Sequence, residues 1–102
     1  MKKADFAPFD AADYLDSDEV IAEFIRATCE DGTPNEIARA LGTIARARNM
    51  TKLAEQTGLS RQALYKALSG EGNPEFATIV KVAQALGLRL SFVTAEQKQD
   101  AA

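Results

Sequence analysis

Apolar side chains recur three and four residues apart through most of this chain, the spacing that gathers them on one face of a helix. Val20, Ile21, Phe24, Ile25 and Thr28 form the first such stripe and predict a helix over about 18–30. Asp16 with Glu19 three residues on is its expected capping box, and Asp31-Gly32 its stop. Thr33-Pro34-Asn35-Glu36 opens a second helix. There threonine caps, proline takes the first turn where its missing N–H costs nothing, and Glu36 closes the box. Ile37, Leu41, Ile44 and Ala45 then share a face, and the helix should end at Arg46-Ala47-Arg48-Asn49, where cations suit the carbonyl end of the dipole. Two short helices follow: Thr51 is expected to cap 52–57, Gly58 to end it, and Ser60 to cap 61–68. A fifth helix starts at Asn73-Pro74-Glu75 and carries Ile79, Val82, Ala83 and Leu86 to Gly87.

After Gly87 the period changes from 3.6 to 2. Leu88-Arg89-Leu90-Ser91-Phe92-Val93 alternates apolar and polar and predicts a short strand over 88–93, followed by a frayed tail at 94–102. Residues 1–16 have no helical period but hold Pro8, several aspartates and the aromatics Phe6, Phe9 and Tyr14; they are expected to form an extended acidic arm. Its aromatics either need a partner to cover them or fold back onto their own core. The expectation is an all-α domain of five helices over 17–93, with that arm before it and a C-terminal β-strand at its end.

Composition narrows the function. The chain has 102 residues and is 46% apolar, enough for one small core and too short for two. It contains no histidine, which removes the commonest general base and metal ligand, and it has no glycine-rich phosphate loop, so neither an enzyme nor a metal or other cofactor is expected. One cysteine cannot form an internal disulfide, and no apolar run could cross a membrane, so the expected compartment is the cytoplasm. That cysteine, Cys29, lies beside the first stripe and is expected to be a buried, inert thiol. The net charge of −3 hides a split. Residues 1–36 carry three basic and ten acidic side chains, whereas 37–102 carry nine basic and five acidic. The basic half is a candidate for a polyanion and the acidic half for a different, basic partner.

Residues 51–69 hold the most informative pattern. Two helices joined by a short turn with glycine make a helix-turn-helix. Ala54 is small where the helices cross, Gly58 supplies the positive φ of a sharp turn, and Leu53, Leu59, Leu64 and Leu68 fill the angle behind. Ala54, Gly58, Leu59-Ser60 and Leu64 together resemble the helix-turn-helix of phage-repressor (Cro/C1-like) DNA-binding domains. A wider ordered set, from Phe9-Asp10-Ala11-Ala12-Asp13-Tyr14-Leu15 through Ile44-Ala45-Arg46-Ala47-Arg48, Leu64-Tyr65-Lys66-Ala67-Leu68-Ser69 and Gly72-Asn73-Pro74 to Ala85-Leu86-Gly87, resembles the HigA-like addiction module antidotes.

The resemblance implies an antitoxin that neutralises a RelE/HigB-like RNA-cleaving toxin and represses its own operon as a homodimer on double-stranded DNA. On that basis Arg61 and Gln62, in the first turn of the recognition helix, are expected to reach base edges. Lys52, Ser60 and Lys66 suit phosphates, Tyr65 stacks on sugar or caps the core, and Ser69 completes the exposed face. Arg39, Arg46 and Arg48 fit either backbone contacts or packing of their stems. Phe9, Asp10, Asp13, Tyr14 and Leu15 combine negative charge with apolar anchors and are the expected toxin contacts. Leu88, Leu90 and Phe92 share a face of the expected strand, which needs an edge to pair with and so is the candidate dimer interface, helix 5 being the other. The alternative function is a free-standing transcriptional regulator that has no toxin.

Overall fold

Five α-helices and one 3-10 turn make up the regular structure of residues 10–95, the part of the chain that the computed structural model describes. The 3-10 turn is Ala11–Tyr14, and the helices are α1 (Asp18–Asp31), α2 (Pro34–Arg48), α3 (Met50–Thr57), α4 (Arg61–Ala67) and α5 (Phe76–Ala85). The order and number of helices match the hydrophobic pattern. At two of the starts a different residue does the capping. Ser17 rather than Asp16 caps α1, its Oγ accepting from the Val20 N–H at 3.2 Å. Asn49 rather than Thr51 caps α3, accepting from the Lys52 N–H at 3.0 Å while its own N–H closes α2 on the Ala45 carbonyl. One extended residue thus ends one helix and begins the next, so α3 starts early enough to bury Met50. The box at Thr33 and Glu36 forms as expected, with both reciprocal hydrogen bonds present.

The core sits where α2 meets the other elements. Ile44 of α2, Leu64 of α4 and Val82 of α5 are fully buried, and Leu15, Ile21, Leu41, Ala45, Met50, Leu53, Leu68 and Leu86 complete the cluster. α2 packs on α1, on the 3-10 turn, on α3 and on α5, and so is the central strut of the domain.

Both ends of the domain depart from expectation. Residues 10–15 are not an extended arm: Asp10 caps the 3-10 turn by accepting from the Ala12 N–H at 3.1 Å, and Leu15 is 7% exposed within the core. Burying a leucine is worth about 2 kcal/mol, and with the Asp10–Arg46 pair it helps to hold this short segment on α2. Residues 1–9, with Phe6 and Phe9, and 96–102 of the expected tail lie outside the described residues. At the other end, no strand is present among the described residues, and 88–94 carry no regular secondary structure. The reason begins at α5's own cap. Gly87 adopts φ 81° and donates to the Gln84 carbonyl, while the Leu88 N–H reaches back to Ala83 at 2.8 Å, the paired bonds of a Schellman motif. The first residue of the alternating run therefore spends its amide on the helix, and the rest has no neighbouring strand to pair with.

Candidate functional site

α3 and α4 are joined by three residues, Gly58-Leu59-Ser60, and each does a separate task. Gly58 takes φ 75° and ψ 10°, the left-handed conformation that stops α3, and its N–H closes the last turn on Ala54 at 2.9 Å. Leu59 donates its N–H to Thr57 Oγ1 at 3.3 Å, and that buried hydroxyl itself donates to the Leu53 carbonyl at 2.8 Å. Ser60 caps α4 by accepting from the Ala63 N–H at 3.0 Å. Leu53, Leu64 and Leu68 are buried beneath the turn.

This leaves one face of α4 open. Arg61, Gln62, Tyr65 and Lys66 are all exposed, and Lys52 stands exposed in the first turn of α3. Tyr65 does not cap the core, because the residue is 47% exposed and its ring lies under the Arg61 guanidinium at 6.0 Å from centroid to carbon. Ser69 is exposed but committed: its Oγ donates to the Lys66 carbonyl at 3.0 Å and accepts from the Glu71 N–H at 3.2 Å, fixing the turn after α4.

The three ambiguous arginines of α2 separate. Arg46 pairs with Asp10 at 2.7 Å, and Arg48 pairs with Asp18. The backbone N–H of Ala12 and then the Arg46 guanidinium hold the Asp10 carboxyl below its ordinary range. These cations therefore tie the acidic N-terminal segment to α2. Arg39 instead lies against Gly70, beyond the end of α4. Among the described residues, Arg39, Lys52, Arg61 and Lys66 have no carboxylate within ion-pair distance.

The five residues expected on the acidic arm are dispersed. Phe9 lies outside the described residues, Asp10 is partly engaged, and Leu15 is core, so it cannot be an apolar anchor for a partner. Asp13 and Tyr14 are exposed on the 3-10 turn, and Asp16, Glu19 and Val20 are exposed beside them. The proposed interface residues at the C-terminal end also divide. Leu88 packs half-buried against the core, but Leu90 and Phe92 do not share that packing and are 45% and 85% exposed, with Val93 beside them. Cys29 is exposed rather than buried. It lines a groove of about 360 Å³ between α1, α2, α5 and the segment after α5, with Ile25, Leu41, Ala83, Leu88 and Leu90.

Sequence reasoning missed a stripe of α2. Asn35 Nδ2 donates to the Gly70 carbonyl at 2.7 Å, Arg39 covers Gly70, and Gly42 faces the end of α4 so closely that a Cβ there would stand 2.8 Å from the Leu68 carbonyl oxygen. These positions are spaced four and three apart on one helix face, and together they fix where α4 ends. The available signal was Gly42, since a glycine inside a helix costs about 1 kcal/mol and calls for a packing reason.

Among the described residues no cluster of metal-binding side chains is present, and no helix is long and apolar enough to cross a membrane. A family model described as "Probable addiction module antidote protein" matches residues 5–94. An uncharacterized protein of Haemophilus influenzae is 49% identical over 81 residues, covering 79% of this chain and 84% of its own. No solved structure matches.

Proposed function

The chain belongs to the family of probable addiction module antidote proteins, and from that premise we propose that it neutralises a basic, RNA-cleaving toxin of the RelE/HigB-like class and represses its own operon by binding DNA through α3 and α4. The observation that carries the DNA half is the open face of α4. Four polar or cationic side chains, Arg61, Gln62, Tyr65 and Lys66, project together from a helix whose other side is locked into the core. No packing role explains them, and their chemistry is that of major-groove readout: a bidentate arginine for guanine, glutamine for adenine, lysine for phosphate. Lys52 and Ser60 suit phosphates at the leading ends of α3 and α4. Ser69 is a weaker candidate, because its only proton already serves the turn.

The toxin half rests on charge and on what remains exposed. Asp13 and Tyr14, with neighbouring Asp16, Glu19 and Val20, form an acidic surface with apolar members that is complementary to a basic protein. Deleting residues 1–16 would be a poor test, since it removes Leu15 from the core and Asp10 from Arg46. Asp13→Lys with Tyr14→Ala spares both. When the toxin encoded in the adjacent reading frame is co-expressed, this double variant is expected to lose neutralisation while its operator binding in a mobility shift stays within about twofold of the parent. Full rescue of growth by the variant would place the toxin surface elsewhere. An adjacent frame with no toxic product would favour the free-standing regulator.

A homodimer follows from the need to present two recognition helices to a palindromic site about 34 Å apart. Leu90, Phe92 and Val93 are the supporting feature, being three apolar side chains in a row of four residues left in water. Leu90→Asp with Phe92→Asp is expected to halve the mass seen by light scattering and to weaken operator binding at least tenfold. A dimer that persists would assign the interface to α5 instead.

A further inference from the structure

We propose that Arg39, on α2, is a DNA-phosphate contact that flanks the trailing end of the recognition helix; this rests on the DNA-binding function proposed above and extends its surface beyond α3 and α4. The argument starts from how the end of α4 is held. After Leu68 the chain turns through Ser69 to Gly70, which has φ 85° and is buried. Its carbonyl accepts from Asn35, and the place where a Cβ would stand is taken by the Arg39 guanidinium, whose Nε, Nη2 and Cζ lie 2.6, 2.7 and 2.9 Å from that point. Glycine at position 70 is thus what lets the guanidinium lie flat against the turn. Any side chain there would push Arg39 away.

Arg39 remains exposed as a residue, and among the described residues it has no carboxylate partner. This distinguishes it from Arg46 and Arg48 on the same helix, which are held by Asp10 and Asp18. An arginine with neither a salt bridge nor a burial requirement, but seated at a fixed place, is suited to a planar anionic acceptor, and its fork of donors matches a phosphate. Its position adds to this. A helix in the major groove lies between two phosphate backbones about 12 Å apart. Lys52 and Ser60 stand at the leading ends of α3 and α4, whereas Arg39 and Lys66 stand at the trailing end of α4. Phosphate-binding side chains at each end of the reading face, Lys52 with the Ser60 hydroxyl at one and Arg39 with Lys66 at the other, would straddle the groove and fix the helix in register.

The test uses the full chain with two 30-base-pair duplexes, the intergenic DNA upstream of its own gene and an unrelated sequence, titrated between 50 and 200 mM salt. Arg39→Gln is expected to weaken binding to both duplexes by a similar factor of about five, and to lower the slope of log K against log salt by about 0.9, the signature of one lost phosphate contact. Arg39→Lys should restore the slope while recovering only part of the affinity. A slope unchanged in Arg39→Gln, in a variant whose thermal midpoint stays near the parent's, would overturn the proposal and leave Arg39 as packing only. If instead the parent binds neither duplex, the DNA-binding function fails along with it.

Discussion

Replacing Arg61 and Gln62 together by alanine is expected to reduce operator affinity by about thirtyfold or more, with little change in binding to unrelated DNA. Each bidentate contact to a base edge discriminates by about 1–3 kcal/mol, so losing two costs about 2 kcal/mol at the low end, or about 30-fold. Both side chains are exposed and Ala63, the next residue, keeps its bond to Ser60, so the helix itself should survive the change. Arg61 also loses its seat over Tyr65, and Tyr65→Ala alone should reproduce a small part of the effect, because an exposed cation–π contact is worth about 0.5–1 kcal/mol. Mobility shifts at a fixed salt concentration, with both duplexes, measure this. Operator binding that survives the double substitution would remove α4 as the reading helix. The contrast with Arg39→Gln is informative: there both duplexes should weaken alike, because a phosphate contact carries no sequence.

Leu64→Ala should have the largest effect on stability, about 3–5 kcal/mol. Leu64 is 0% exposed and sits on the inner face of the same helix, in the cluster that joins α2, α3 and α5. Truncating a fully buried leucine removes its transfer free energy and leaves a cavity that neighbours fill only in part. A domain this small has about 5–15 kcal/mol in all, so about a fifth or more of its stability goes. At about 4–8 °C per kcal/mol the thermal midpoint should fall by more than 12 °C. Tyr65→Ala, one residue along, should shift it little, since its ring is on the outer face. Equal losses at positions 64 and 65 in a thermal melt would mean that α4 does not present the faces described.

The N-terminal segment carries a modest pH dependence. Because the Asp10 carboxyl is held below its ordinary value of 3.8, its contribution to docking the 3-10 turn is fully present at neutral pH and is lost as pH falls from about that value through the folded one, while the burial of Leu15 is unaffected. Operator binding near pH 7 should be insensitive to it.

Local chemistry was legible in the sequence. The five helices, the Thr33–Glu36 box, the left-handed Gly58, the Ser60 cap and the outward face of α4 all depend on residues within four of one another, and a hydrogen bond or an apolar stripe at that range is set by the chain's own order. The features that needed the tertiary structure are those in which identical local chemistry has different outcomes. Leu15 and Tyr14 are neighbours on one short turn, yet one is core and the other is exposed, because only α2 decides which side is covered. Arg39, Arg46 and Arg48 belong to one helix, and distant residues give two of them carboxylates and the third a glycine. The alternation of 88–93 met the requirement of a strand in side chains but not in backbone, because a ladder needs an edge that no sequence of six residues can supply, and the Leu88 amide was already taken by α5.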